Sequence, residues 1–325
     1  MKFTITEETA NQRIDKTIKR TLNQAPLSFI YKMFRQKDVK VNKKRVDISY
    51  ITKVGDEVDV YIKEDLLNEF SKTQTVRPVK CDMDILYEDE NLLIVNKPKG
   101  LLVHGDEGEK RITLQNMFLN YLIAKGEYDP NNVTKFVPGP AHRLDRNTSG
   151  IVIFGKNLPT LQQLLELFRV KTNIEKTYIA LLVGKTPREG KIDMPLMKDG
   201  DKCMVKIGRI EKGAKPALTT YKVEKYYRNN YSLVRAKLIT GRTHQLRVHF
   251  QSIKHPIVGD SKYGDYRVNK KFEEEFGLKS QFLHAATFEF KNIEGHLSYM
   301  SGKKFVAPIP VKEEKILKAL EIKDI

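Results

Sequence analysis

The chain has 325 residues, of which 40% are hydrophobic and 30% are charged, so it can build folded cores and is not disordered as a whole. Lysine and arginine number 58 against 41 acidic residues, and the net charge of +17 points first to a nucleic acid as partner. Two distant cysteines, Cys81 and Cys203, indicate neither a disulfide framework nor a zinc site. The N-terminus lacks an apolar signal core and no run reaches membrane length, which predicts a cytoplasmic protein.

Residues 11–65 are predicted to form a first, small unit that begins with two helices. Ile14, Ile18 and Leu22 keep helical spacing and alternate with basic side chains, which gives the first helix one apolar and one cationic face. Pro26 ends this run, and a second apolar helix follows it.

Two alternating strands complete the first unit. The first has a turn at Asn42–Lys43, and the second follows the turn at Gly55–Asp56. Two basic helices followed by a small hairpin sheet resemble the S-four-type RNA-binding module, although a solvated basic face without a ligand is the alternative. The residues predicted to contact RNA in this module are Arg13, Lys16, Arg20, Lys40, Lys43, Lys44 and Arg45.

Residues 66–80 are polar and are predicted to be a linker. Residues 81–325 form the second unit. Its strands and helices follow one another without a regular βαβ period, which predicts an α+β fold rather than a doubly wound sheet.

The segment from His142 to Gly150, H-R-L-D-R-N-T-S-G, carries the strongest chemical signal. It places one carboxylate, Asp145, between Arg143 and Arg146 in a turn-prone stretch with apolar runs on both sides. Nearby guanidinium groups favour the ionised carboxylate, which can act as a nucleophile or accept a proton. The alternative is an aspartate that only caps the turn or pairs with a neighbouring arginine.

Two later segments also carry candidate residues. Tyr178 lies at the start of a strand that follows a predicted helix, and a tyrosine supplies both a stacking face and a hydroxyl group. In the second segment, G-R-T-H-Q-L-R-V-H, Thr243 is expected to cap a helix. His244 and His249 are five residues apart and do not share a helical face, so we predict no metal site.

Glycine and proline mark tight turns in two further segments, Asn96–Gly100 and His255–Asp260. In the first of these, Lys97 and Lys99 are candidates for contacts with phosphate.

In content and order these motifs resemble those of the ribosomal large-subunit pseudouridine synthase family, the RluA-type branch. The resemblance runs from the first helix onward and is closest to the C-type branch, with the D-type branch close behind. It departs at Asn147, where an acid often follows the D-R pair.

The resemblance implies an α/β RNA-binding module followed by a catalytic domain with a mixed, mostly antiparallel sheet. It also implies isomerisation of specific uridines in large-subunit (23S) ribosomal RNA to pseudouridine. The expected enzyme is a monomer that needs no cofactor, metal or small-molecule cosubstrate and makes no membrane contact.

The resemblance assigns roles to those residues of this chain that match the family's motifs. Asp145 would act on the ribose of a flipped-out nucleotide, by attacking it or deprotonating it, and Arg247 would pair with Asp145 and orient it. Tyr178 would stack on the base, Arg143 would fill the gap that the base leaves, and Leu246 would help to wall the uracil pocket. The remaining expected substrate contacts are Arg146, Arg242 and His142, although His142 is also suited to structural packing.

The sequence leaves other functions open. A pseudouridine synthase acting on transfer RNA and a non-catalytic RNA-binding or ribosome-assembly protein both fit the basic composition. A metal-dependent nuclease lacks clustered ligands in the sequence.

Overall fold

The computed structural model describes residues 1–7, 9–71, 76–105, 111–130, 136–200, 204–227 and 230–322. Cys203 therefore lies outside the described residues, whereas Cys81 is an exposed free cysteine. In these ranges no helix combines the length and the apolar character that a membrane span requires.

Contacts between Cα atoms divide the chain into two units. The first consists of Met1–Cys81, Gln115–Gly139 and Gly155–Gln162, and the second of Asp82–Leu114, Pro140–Phe154 and Gln163–Ile325. The predicted domain limits treat everything after residue 80 as one domain, so they do not anticipate the two later segments that group with the first unit. The limits 11–65 and 81–325 remain a prediction.

The first unit begins with a small antiparallel sheet and three helices. Its elements are β1 (Lys2–Thr4), α1 (Ile14–Thr21), α2 (Leu27–Gln36), β2 (Val39–Val41), β3 (Lys44–Arg45), β4 (Glu57–Val60) and α3 (Glu64–Phe70). The strand order is β1-β4-β2-β3. Ile14, Ile18 and Leu22 are fully buried, as their helical spacing predicted.

Two elements lie outside the expected limits of this unit. Strand β1 precedes residue 11, and helix α3 extends into the predicted linker 66–80, which is therefore helical up to Phe70. A three-residue strand is too short to give an alternating pattern, and α3 buries no side chain fully, so neither carries a clear periodic signal.

Most of the remaining elements build one large sheet. In chain order they are β5 (Asp84–Glu88), β6 (Leu92–Lys97), α4 (Leu114–Ala124), β7 (Gly139–Pro140), β8 (Ser149–Gly155), α5 (Leu158–Val170), β9 (Ile174–Val183), β10 (Glu189–Asp193), β11 (Leu196–Lys198), β12 (Val205–Ile207), β13 (Leu218–Tyr227), β14 (Tyr231–Leu238), α6 (Gln245–Ser252), α7 (Tyr266–Phe276), β15 (Leu283–Phe290), β16 (Lys304–Val306) and α8 (Val311–Ile322).

Within the described residues, ten strands form a mixed sheet in the order β10-β13-β14-β9-β15-β8-β6-β5, with β16 beside β15 and β7 beside β8. Strands β15 and β8 run parallel, whereas the pairings from β10 through β15 are antiparallel. Strands β11 and β12 form a separate hairpin. The expected α+β fold with a mixed, mostly antiparallel sheet is confirmed.

The centre of this sheet positions two of the candidate residues. Strand β8 begins at Ser149, within the segment that contains Asp145, and all seven of its residues are buried. Tyr178 lies on β9, where it is the register partner of Ala285 on β15. Ala285 also pairs with Gly150 on β8, so β15 separates the start of β8 from Tyr178 by one strand.

Candidate active site

A cleft of about 1070 Å³ in the second unit brings the predicted site residues together. Its lining includes all eight of them: Asp145, Arg247, Tyr178, Arg143, Leu246, Arg146, Arg242 and His142. Residues that are more than a hundred positions apart in sequence therefore share one concave surface, which is the usual setting of a binding or catalytic site.

The cleft is strongly cationic around a lone acid. Among the described residues that line it, Asp145 is the one carboxylate. Arg143 and Arg146 flank it in sequence, and Arg247 contacts it. Further basic side chains line the same cleft: Lys171, Lys176, Lys198, Arg242 and Lys262. This distribution of charge attracts a polyanion and places one reactive carboxylate within reach of it.

The loop that carries Asp145 is held through its backbone. The Thr148 N–H donates to the Asp145 carbonyl at 3.0 Å and closes a turn. The Arg146 carbonyl accepts from the Gly100 N–H at 2.9 Å and from Lys97 Nζ at 3.0 Å. The carboxylate of Asp145 is thus presented to the cleft by a turn with fixed hydrogen bonds rather than by a free loop.

Lys97 and Lys99 have structural roles here, which their turn segment also allowed, rather than the phosphate contacts for which they were candidates. Lys97 is fully buried, and its ammonium group also donates to the carbonyls of Pro98 and Leu101. Lys99 pairs with the buried carboxylate of Glu313. Both ammonium groups are used inside the fold because buried charges require partners.

Arg247 links Asp145 to a second, fully buried carboxylate. Its Nη1 lies 3.2 Å from Asp145 Oδ2, while Nε and Nη2 donate to Asp260 Oδ2 and Oδ1 at 2.7 and 2.8 Å. The two-pronged contact with Asp260 fixes the plane of the guanidinium group. One N–H of that plane is left to orient the carboxylate of Asp145.

The turn before Arg247 differs from the sequence prediction. Helix α6 starts at Gln245, and its N-cap residue is His244 in the left-handed region (φ 55°), so Thr243 does not cap it. The turn is instead stabilised by the side chain of Gln245, whose Oε1 accepts from the Arg242 N–H at 3.0 Å and from the Thr240 hydroxyl at 2.7 Å. Its Nε2 donates to β13, which fixes the turn against the sheet.

His244 faces Asp145 across a short gap. Its Nε2 lies 3.9 Å from Asp145 Oδ2, and its Nδ1 lies 2.9 Å from the buried Tyr263 hydroxyl. That hydroxyl also accepts from the Val205 N–H at 2.8 Å. Burial lowers the pKa of His244. His244 thus has Nδ1 held by Tyr263, while Nε2 faces the gap beside Asp145.

His249 has a structural environment. Its Nδ1 lies 2.9 Å from the Thr219 hydroxyl, and its Nε2 lies 3.0 Å from the Met194 carbonyl, so both ring nitrogens have protein partners. Across the described ranges, no three His, Cys, Asp or Glu side chains are grouped closely enough to hold a metal ion.

Tyr178 presents a buried phenol to the cleft. Its side chain is almost completely buried, and this burial, with the charge of Asp145, raises the pKa of its hydroxyl. The phenol therefore stays protonated at neutral pH and can donate a hydrogen bond, while its ring supplies a flat apolar wall. Leu246 is also buried and adds a second apolar wall.

The flanking arginines remain available to a ligand. Arg143 and Arg146 are exposed at the cleft, and neither pairs with a carboxylate in the part of the chain that the structure describes. Arg242 donates through Nε to the Pro216 carbonyl at 3.0 Å, which holds its guanidinium group at the rim.

His142 has the packing role that its sequence also allowed. Its ring stacks on Phe168 with 4.4 Å between the ring centroids. The Phe288 ring is nearly parallel to it, with 6.5 Å between the centroids. Nε2 accepts the Ile153 N–H at 3.3 Å. Burial lowers the pKa of His142 to about 3, so the ring is neutral at physiological pH. A role in binding substrate stays a prediction.

The predicted RNA contacts of the first unit differ in exposure. Lys16 is exposed, as are the hairpin residues Lys43, Lys44 and Arg45. Arg13 is exposed and donates to Asp15. The remaining two have other surroundings: Lys40 lies 4.8 Å above the Tyr61 ring, and Arg20 is partly buried and donates to Gln12.

Sequence reasoning missed Asp260 and the role of His244, and it passed over Lys171 and Lys176 as cleft residues. Asp260 follows a Gly-containing turn, which gave no sign that it is buried. Lys171 directly follows α5, and Lys176 is the third residue of β9. Neither position has a sequence pattern that indicates a cleft. Only the folded chain places them at the cleft.

Comparison with known proteins gives consistent matches over nearly the whole chain. The family described as RNA pseudouridylate synthase matches residues 91–252, and the S4 domain matches residues 12–58. Ribosomal large subunit pseudouridine synthase C of Vibrio parahaemolyticus serotype O3:K6 (strain RIMD 2210633) is 36% identical over 323 residues, which are 97% of this chain and 95% of the relative.

The protein of the same name from Escherichia coli (strain K12) is 36% identical over 290 residues, or 88% of this chain and 87% of the relative. Among solved structures, human RNA Pseudouridylate Synthase Domain Containing 4 is similar with a TM-score of 0.57 and 26% identity. That similarity covers 73% of this chain and 92% of the human chain.

Proposed function

The chain belongs to the RNA pseudouridylate synthase family, and from this premise we propose that it converts specific uridines of large-subunit ribosomal RNA to pseudouridine. The observation that carries the proposal is the Asp145–Arg247 pair in a cleft that otherwise contains cationic, apolar and neutral polar side chains. A lone oriented carboxylate acts on the sugar, while the surrounding cations hold the RNA backbone.

The proposed reaction is an isomerisation. The bond from C1′ of the ribose to N1 of uracil breaks, the base turns, and a bond from C1′ to C5 forms. C5 then loses a proton and N1 gains one, so atoms balance within the nucleotide and the scheme includes no cofactor or cosubstrate. Asp145 acts on the ribose, as a nucleophile at C1′ or as a base, and Arg247 keeps its carboxylate oriented.

The other cleft residues bind the displaced nucleotide. A uridine inside folded RNA must leave its stack before its sugar can be reached, and the exposed guanidinium of Arg143 fills the place it leaves. Tyr178 and Leu246 form the walls against which the uracil lies. Nε2 of His244 faces the Asp145 side of this pocket.

The ribosomal RNA target, the monomeric state and the cytoplasmic location are proposed on the same basis. The ribosomal target is taken from the names of the relatives that match nearly the whole chain. The S4 match supplies a second surface for RNA. Since one chain provides the lining of the cleft, the proposed active form is a monomer, which acts in the cytoplasm where ribosomes assemble.

The test is pseudouridine-specific chemical mapping of protein-free large-subunit ribosomal RNA. The RNA is incubated in chelator with wild-type protein or with Asp145→Asn. We expect discrete new sites with wild type alone, and equal RNA affinity for both proteins. If wild type binds this RNA but leaves every uridine unmodified, the ribosomal target is wrong, and the same assay on transfer RNA separates a different substrate from a protein without catalytic activity.

A further inference from the structure

Two lysines of the cleft lie close together without an acidic partner. Lys171 follows helix α5, and Lys176 lies on strand β9. Neither pairs with a carboxylate among the residues that the structure describes, although the ammonium of Lys176 lies 5.1 Å from the centroid of the Phe168 ring. Two unpaired cations on one wall raise the energy of the empty site.

The electrostatics of both lysines reflect this crowding. Burial and the charge of Lys171 lower the pKa of Lys176 to about 8. Burial and the charge of Arg242 lower the pKa of Lys171. A bound anion would relieve the repulsion among these three side chains.

Gly241 leaves a space that both ammonium groups border. A Cβ atom at Gly241 would lie 3.5 Å from Lys171 Nζ and 4.0 Å from Lys176 Nζ. Both ammonium groups therefore lie within reach of one phosphate group placed beyond this position, and its oxygens would satisfy charges that the protein leaves unpaired. The glycine has an ordinary backbone conformation, so the missing side chain is not required by the turn itself.

The location fixes which part of the RNA fits. Lys176 and Tyr178 are two residues apart on β9, so their Cα atoms are separated by roughly 7 Å and their side chains lie on one face of the strand. Both line the cleft that contains Asp145. Lys176 is therefore a neighbour of Tyr178 on one wall of the cleft, and the nucleotide beside the target uridine is the part of the RNA expected nearest to it.

We propose that Lys171, Lys176 and the open space at Gly241 form a subsite for a backbone phosphate of the nucleotide that flanks the target uridine. The inference rests on the proposed function. The phosphate lies against Gly241 with its oxygens on the two ammonium groups, and a Cβ atom at residue 241 would narrow this space. The subsite anchors the strand beside the flipped nucleotide and contributes equally to binding of the substrate and of the transition state.

The test uses the full-length protein and an RNA oligonucleotide that contains one uridine identified by the mapping above. The variants are Lys176→Met, Gly241→Ala and the control Lys270→Met, which removes an exposed lysine of α7 outside the cleft. We expect Lys176→Met and Gly241→Ala to raise KM by about tenfold, as for loss of one charge-assisted contact, with kcat near the wild-type value. The salt dependence of log(kcat/KM) should become shallower by about one unit for Lys176→Met.

Thermal unfolding separates this role from a structural one. Lys176→Met removes an unpaired, partly buried charge, so we expect it to melt no lower than wild type. If Lys176→Met is destabilised, the KM of Gly241→Ala decides whether the subsite exists. This variant should fold like wild type, because a methyl group at residue 241 makes only ordinary contacts with the two lysines. The subsite is wrong if both variants keep KM within about twofold of the Lys270→Met control.

The two proposals can fail separately. If wild type forms pseudouridine and the variants match the control, only the subsite is wrong. If wild type modifies neither ribosomal nor transfer RNA, the catalytic proposal fails, and the subsite is then judged by the Kd of an oligouridylate probe for the same variants. Equal Kd values would overturn it, and a tenfold weaker Kd for both cleft variants would support it.

Discussion

Asp145 depends on a residue that does not touch it. Asp260 is fully buried and holds Arg247 with two short hydrogen bonds, whereas the contact from Arg247 to Asp145 is longer, at 3.2 Å. Asp260→Asn leaves the buried guanidinium partly unpaired, so we expect the free energy of unfolding to fall by about 3 kcal/mol. We also expect kcat to fall by at least about tenfold, with a smaller change in KM, because Arg247 no longer orients Asp145.

Asp265→Asn is the matched control for this prediction. The Asp265 side chain caps helix α7 by accepting the Val268 N–H at 3.0 Å, and it is absent from the lining of the cleft. Its replacement keeps an acceptor for the Val268 N–H and removes only a charge at the helix N-terminus, so it should lower the free energy of unfolding by about 0.5 kcal/mol and leave kcat unchanged. Urea unfolding and steady-state kinetics on the mapped RNA give both quantities. A wild-type kcat for Asp260→Asn, measured well below its melting temperature, would exclude the positioning role.

His142 should make the stability of the fold depend on pH. Its pKa is lowered from an ordinary 6.5 to about 3, so between these values the unfolded chain binds a proton that the folded chain does not. The free energy of unfolding therefore decreases as pH falls below 6.5, by about 2 kcal/mol at pH 5 from this residue. His142→Phe keeps the aromatic packing on Phe168 and lacks the titrating group.

Urea unfolding at pH 7.5 and pH 5 measures this difference. At pH 7.5 the Phe variant should be about 1 kcal/mol less stable, because the Ile153 N–H loses its acceptor. At pH 5 the variant should equal or exceed wild type in stability. The same pH dependence in both proteins would show that His142 is protonated within the fold.

Close contact between two strands places the Asp145 loop. Gly150 has a φ of 112° at the start of β8, and a Cβ atom there would lie 2.7 Å from the carbonyl carbon of Ala285 on β15. Gly150→Ala must separate the parallel strands, so we expect a loss of about 3 kcal/mol or more in stability, together with loss of activity. Gly302→Ala is the control, since Gly302 also has a positive φ of 78° but no atom within 4 Å of the Cβ position. It should cost about 1 kcal/mol and leave activity intact.

The same strands mark the limit of what local sequence can predict. The apolar spacing of α1 and the hairpin turn at Asn42–Lys43, where both residues have positive φ, follow from local pattern. The pairing of Ser149–Gly150 with His284–Ala285 joins segments that are 135 residues apart, and no periodicity encodes it. Similarly, the motif resemblance implied the pairing of Asp145 with Arg247, whereas the buried partner Asp260 needed the three-dimensional structure.

At the scale of the whole molecule, the net charge of +17 has two possible effects on RNA binding. It can act as a diffuse field, to which every exposed cation contributes, or through local contacts that each neutralise one phosphate. The S4 unit presents Lys43, Lys44 and Arg45 at the exposed turn and strand of its hairpin. Helix α8 presents three exposed lysines of its own, Lys312, Lys315 and Lys318. Two triple substitutions can therefore remove the same charge from different places.

In the hairpin, the triple variant is Lys43→Asn, Lys44→Gln and Arg45→Gln, with asparagine at 43 because the φ of 63° there suits it. In α8, all three lysines become glutamine, so both variants lower the net charge from +17 to +14. We expect the slope of log Kd against log salt for large-subunit ribosomal RNA to become shallower by about two in the hairpin variant alone. Neither triple lines the cleft, so kcat should stay at the wild-type value in both. Equal changes of slope in the two variants would mean that the diffuse field dominates and that the hairpin makes no specific phosphate contacts.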